Sequence, residues 1–324
     1  MAGGTLRVHF TTDDLSRVRV ASTMDHLWEV VLSLHMLCDN AHPVLFGQWR
    51  RDTLAAVRRT HAEPSLAMLA TLAPAARYFP DFLTPENGGE AFDTGVDAVM
   101  ATPVSELRGQ LALLARTRPL PGWVSRLAAG EQTALARLEK ALRDYHRLAI
   151  GPVERAIQRS LGRIGDKAGA AGWQDMLQPV LQWNHPVLAA PFLEDFDLHL
   201  NGRGLKLVPS FFCMGAPVKL YDDSLTPTLV CPIVHDPRWL GGGTGQPIEQ
   251  LLGVSRARIL EFVAANPATT NAVISTVLHI SPPTVSYHLR ILRESGLLAT
   301  DRDANLVVHT STRLGAALLN GRPL

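Results

Sequence analysis

A hydroxyl, a phenol and a guanidinium fall close together in one short stretch of this chain: Ser286, Tyr287 and Arg290, with Pro283 and Thr284 just ahead of them. Spacings of three and four residues put Pro283, Ser286, Tyr287 and Arg290 on one side of a helix. Groups of these types bond to phosphate oxygens and to base edges, and a guanidinium fork matches guanine. The other side carries Val285, Leu289 and Leu292 at i, i+4 and i+7, an apolar stripe that needs a core to cover it. Ser281 suits an N-cap, Pro282 the first turn and Gly296 a C-cap, so a helix is expected over 282–295. An ordinary amphipathic surface helix has the same texture, and only the neighbouring elements separate the two readings.

Those neighbours are specific. Thr269–Leu278 reads as a short helix capped by Thr269 or Thr270, with Val273, Ile274 and Val277 facing inward. His279-Ile280-Ser281 then makes a tight turn into the second helix, which is the helix-turn-helix pattern. Leu297–Thr300 and Leu306–Thr310 read as two strands around a charged tip, where Arg302 and Asn305 can reach a backbone or a minor groove. Thr269 and Thr270 stand where a helix N-terminus can meet phosphate. Ile248–Ala265 reads as one helix upstream, and Ser311 or Thr312 caps a final one with Leu314, Ala317 and Leu318. The expected module is a winged helix-turn-helix over 248–324, with Ser281, Pro283, Thr284, Ser286, Tyr287 and Arg290 on its reading helix.

The run Val285-Ser286-Tyr287-His288-Leu289-Arg290-Ile291-Leu292-Arg293-Glu294-Ser295-Gly296-Leu297-Leu298 resembles the core signature of ArsR-type (ArsR/SmtB) bacterial transcriptional regulators. Ser255-Arg256-Ala257-Arg258-Ile259-Leu260 is similar to the first helix of that family. The resemblance covers roughly residues 250–322 and implies a homodimer on a palindromic double-stranded operator. Metal sensors of the family hold cysteines in the helix-turn-helix, or His and Asp in the last helix. Here no cysteine follows Cys231 and the final helix has no acid or His, so the resemblance does not extend to metal sensing. A second resemblance lies in Leu6–Thr11, Asp14-Leu15, Arg17–Val20 and Leu27-Trp28-Glu29. These are similar to an uncharacterised domain that precedes ArsR-type winged helices, which implies architecture and no chemistry.

A chain of 324 residues accommodates two domains. It has no apolar run of membrane-spanning length and no signal peptide pattern, so a cytoplasmic protein with no membrane partner is expected. Three widely spaced cysteines, Cys38, Cys213 and Cys231, fit reduced thiols. The formal net charge is +1, but residues 255–324 hold seven arginines against four acids. That modest local excess suggests limited non-specific affinity and a need for a dimer.

Residues 1–240 are expected to be mainly α with a small antiparallel β-sheet, which makes the chain α+β overall. Strands are expected at Leu6–Phe10, Val18–Val20, Asp197–Leu200, Gly204–Ser210, Pro217–Tyr221 and Thr228–Ile233, with turns at Asn201-Gly202 and Asp222-Asp223. Helices are expected at Thr23–Cys38, Ala41–His61, Ser65–Leu72, Ser105–Arg116, Glu131–Leu148 and Val153–Leu161. Gly241–Gly245 lacks a Walker lysine and a GxGxxG pattern, so 241–247 reads as a linker.

Other chemistry is weaker. His35, Cys38 and Asp39 share a helix face near His42 and could ligate zinc, copper or nickel, but Cys38 reads better as a small buried hydrophobe. No metal and no cofactor is expected. Trp28, Trp49, Trp183 and His185 could line a pocket for a small-molecule effector, although tryptophans in a helical domain are usually core. No nucleophile elbow or His-Glu-x-x-His motif occurs. The favoured reading is therefore an effector-responsive DNA-binding repressor and not an enzyme. The alternative is an enzyme in 1–240 with the winged helix as an interaction or dimerisation module.

Overall fold

Leu6 and Val8 alternate with half-buried residues, and this period of two makes strand β1 (Gly4–His9) the spine of a sheet. The computed structural model describes residues 3–39, 42–75, 78–86, 91–171, 173, 181–222, 224–235, 246–303 and 306–320. The chain divides into two compact units, one of residues 1–39 and 52–233, the other of residues 40–51 and 234–324. The linker expected at 241–247 falls largely outside the described residues.

The first unit is α+β. Its helices are α1 (Thr12–Ser16), α2 (His26–Cys38), the second half of α3 (Pro43–Arg59), α4 (Glu63–Leu72), α5 (Phe92–Met100), α6 (Val104–Thr117), α7 (Trp123–Ala128), α8 (Gln132–Tyr145) and α9 (Glu154–Ala171). A π turn, His146–Ile150, follows α8. Helix α2 is buried on nearly every side, from His26 through Leu34 and again at Leu37. Its Asp25 N-cap accepts from the Trp28 amide at 3.2 Å. Helices α5 and α7 were not expected: α5 contains Gly95, a weak helix former, and α7 is short.

Strands β2 (Val18–Val20), β3 (Gln182–Asn184), β4 (Val187–Phe192), β5 (Phe196–His199), β6 (Leu205–Ser210), β7 (Val218–Lys219) and β8 (Thr228–Pro232) complete two four-stranded sheets. Their orders are β3-β4-β1-β5 and β2-β6-β8-β7. The expectation of one antiparallel sheet is corrected here. β1 runs parallel to β5, and β6 runs parallel to both β2 and β8. The Asn201-Gly202 turn forms, with φ of 52° and 80°, but it hands the chain from one sheet to the other and closes no hairpin. Asp14 fixes this crossing. It accepts from the Thr11 amide and hydroxyl at 2.8 and 2.6 Å and from the Gly204 amide at 2.9 Å. Strand β4 escaped the sequence pattern because Ala189-Ala190-Pro191 are poor strand formers.

The second unit holds α10 (Gln246–Leu252), α11 (Val254–Ala265), α12 (Asn271–Leu278), α13 (Pro282–Glu294), the hairpin β9 (Leu298–Asp303) and β10 (Leu306–Ser311), and α14 (Arg313–Asn320). The expected single helix over Ile248–Ala265 is two. Gly253 breaks it at φ 80°, a left-handed conformation that glycine adopts without strain. Ile259, Leu260, Phe262, Val263, Ile274, Val285, Leu289 and Leu292 form the core. Val44, from the first half of α3, is buried in the same cluster. Among the described residues, no helix is long and apolar enough to cross a membrane.

Candidate nucleic-acid interface

Helix α13 divides as its sequence divides. Val285, Leu289 and Leu292 are buried, while Pro283, Thr284, Ser286, Tyr287 and Arg290 are exposed. Tyr287 is 53 % exposed, and the Arg290 guanidinium stands 5.7 Å from its ring centroid. That contact holds the guanidinium over the phenol without neutralising it. Ser281 occupies the N-cap as expected, but its hydroxyl makes no capping bond and lies 2.7 Å from the Thr284 hydroxyl. At the far end the amides of Gly296 and Leu297 donate to the carbonyls of Arg293 and Leu292, both at 2.9 Å. This paired closure needs the left-handed residue that Gly296 supplies at φ 71°.

The turn before α13 is set by His279, left-handed at φ 55°. The Ile280 amide donates to the Ser275 carbonyl at 3.2 Å, and the Ser275 hydroxyl donates back to the Ile280 carbonyl at 2.6 Å. Thr270 caps α12 and accepts from the Val273 amide. Thr269 departs from expectation. It is 3 % exposed, and its carbonyl accepts from the His309 amide at 2.8 Å in a bridge to β10. Its hydroxyl is turned into the protein, where no phosphate reaches it. Arg302 is exposed on β9. Asn305 lies outside the described residues.

Two residues that the sequence did not single out join these parts. Buried His309 places Nε2 2.6 Å from Asn271 Oδ1 and Nδ1 2.9 Å from the Thr300 hydroxyl. Asn271 Nδ2 donates to the Ser286 hydroxyl at 3.1 Å. The consistent assignment is a neutral ring with its proton on Nε2, donating to Asn271 and accepting from Thr300. The wing, the start of α12 and the exposed face of α13 are thereby tied together. No spacing rule reveals such a link between separate elements.

Burial, reinforced by the Arg293 charge, holds His309 below its ordinary value of 6.5. The unfolded chain therefore takes up the proton first. The network's contribution is present above that ordinary value and is lost as pH falls through the depressed one. The thermal stability of the second unit should fall in acid, and His309→Gln should flatten that fall. An unchanged acid limb in the variant would remove His309 from the linkage.

The other candidate residues make packing contacts. Trp28 packs edge-on against Phe79, Trp49 belongs to the second unit beside Phe46, and Trp183 packs with Phe10 and Trp173, with His185 at 5.8 Å. Each of these is a packing contact. His35 lies edge-on to Phe79. Cys38 is exposed and not the buried hydrophobe expected. Among the described residues, no group of three or more His, Cys, Asp or Glu is placed to hold a metal ion.

Residues 254–300 match the family model described as bacterial regulatory protein, arsR family. No curated protein and no solved structure matches the chain. The match spans α11, α12, α13 and the start of the wing, the elements that carry the exposed polar face. This chain carries the helix-turn-helix domain of an ArsR-family DNA-binding transcription regulator, preceded by an additional N-terminal region.

Proposed function

We propose that the protein is a homodimeric, effector-responsive repressor acting in the cytoplasm, with 1–240 as the sensing region and 248–324 as the reader. The observation that carries this reading is the face of α13. Its apolar stripe is spent on the core, and Pro283, Thr284, Ser286, Tyr287 and Arg290 are left to solvent on the helix that follows the turn. In a helix-turn-helix this is the helix that enters the major groove. Pro283 and Thr284 meet base or sugar surface, Ser286 and Tyr287 make polar contacts, and Arg290 reads guanine. Thr270 and Ser281 lie toward phosphate at the two helix N-termini, and Arg302 reaches the backbone or minor groove. Exposed Leu251, Val254 and Leu314 support association with a second copy. A twofold dimer spaces the reading helices about 34 Å apart, on half-sites one turn apart.

The test starts from genomic fragments selected with the purified protein. Arg290→Ala is expected to weaken binding to the selected site by about 1–3 kcal/mol and to relax preference at one base pair. Wild-type affinity should fall steeply with salt. Unchanged binding by the variant would take α13 out of the reading role. No binding at low salt would favour an enzyme in 1–240 with the winged helix as an interaction module.

A further inference from the structure

The first unit contains a cleft of about 680 Å³ lined by Arg17, Arg19, Lys206 and Arg203, with Ser22 and Thr23 beside the start of α2. That volume lies in the range of small-molecule sites. Arg19 on β2 and Lys206 on β6 are register partners on adjacent parallel strands. Partners in register leave the sheet on the same face, and like charges so placed repel. The acids Asp25 and Glu86 on the wall relieve this in part, and the Lys206 charge acts on Asp25, but cations outnumber them. The Arg17 guanidinium donates to the Gly202 carbonyl at 2.6 Å and the Lys206 ammonium to the Glu86 carbonyl at 3.2 Å. Both cations are thus oriented by neutral main-chain oxygens. Arg19 has no carboxylate partner among the described residues. Asp25 is engaged in capping α2, and burial pushes its carboxyl up. Glu86 is the other acid on the wall.

We propose that this cleft binds a small phosphate-bearing anion. Guanidinium forks and an ammonium supply charge-assisted bonds to phosphate oxygens, and the hydroxyls of Ser22 and Thr23 add neutral donors. Strand pairing has built a concentration of positive charge in a concave site, and an anion relieves it. As the seat of the effector, the cleft rests on the regulatory reading above; as a binding site, it does not.

The test uses the full chain without DNA. Inorganic pyrophosphate is titrated by calorimetry at constant ionic strength, with citrate as the carboxylate comparison. Saturable binding of pyrophosphate in preference to citrate is expected. Arg19→Gln, an exposed substitution, should raise its dissociation constant about tenfold or more, the worth of one charge-assisted bond. Lys206→Met should do the same, and Arg290→Ala should bind pyrophosphate as the unmodified chain does. No saturable binding, equal binding of citrate, or an unaffected Arg19→Gln would each overturn the proposal. Loss of binding in Arg290→Ala would move the anion to the reading helix and overturn it too. Failure of operator binding alone leaves the cleft standing and defeats only the regulatory reading.

Discussion

Glu29→Ala is expected to lower the stability of the first unit by at least about 3 kcal/mol, because three buried donors lose their acceptor together. Glu29 is fully enclosed on α2. Its carboxylate accepts from the Ser210 hydroxyl at 3.0 Å and from the Phe211 and Phe212 amides at 2.7 and 3.1 Å. The two amides have no side-chain freedom with which to find another partner. For a unit of this size each kcal/mol is worth about 2–4 °C in Tm, so a fall on the order of ten degrees is expected. Differential scanning calorimetry measures it, and a variant that melts with the unmodified chain would remove Glu29 from this role.

The same carboxyl has a pH signature. Burial, opposed by the three donors, pushes it up from 4.5 to about 7. The folded state therefore holds the proton more tightly than the unfolded chain. Its contribution is fully present below 4.5 and is lost as pH rises through about 7. Glu29→Gln removes this titration, so the stability gap between the unmodified chain and that variant should change across this window. A constant gap would show that Glu29 does not titrate there.

The second large effect is expected at Gly315. A Cβ there would overlap the Leu297 carbonyl oxygen and press on Leu260. The Leu297 carbonyl cannot withdraw freely, since it accepts from the Thr312 amide and hydroxyl at 3.1 and 3.2 Å. Gly315→Ala should destabilise the second unit by about 1–3 kcal/mol or more, the usual penalty for overfilling a packed site. Because Leu297 leads directly into β9, amide exchange in the wing should quicken and binding to the selected DNA should weaken. Unchanged exchange and unchanged binding together would show that α14 yields at no cost.

Helix α13 was legible because its determinants are local. Val285, Leu289 and Leu292 announce a buried stripe by spacing alone, and Ser281, Pro282 and Gly296 mark its ends by backbone preference. Strand β2 was legible to the residue for the same reason. Strand β4 was not, because Ala189, Ala190 and Pro191 have no strand preference and form one only between β1 and β3. Thr269 and Thr270 look interchangeable as caps. Only the bridge to His309 decides that the first is buried and the second caps α12.

By itself, then, the sequence determined the helix-turn-helix, its polar face and its wing, since caps, turns and hydrophobic period act over a few residues. The tertiary structure alone decided what depends on partners distant in the chain. It set Val44 into the core of the second unit, ran β6 parallel to β2 and β8, and linked His309 through Asn271 to Ser286. It also brought Arg19 beside Lys206. Pairing and burial of this kind are settled by which surfaces meet, and local pattern carries no record of that choice.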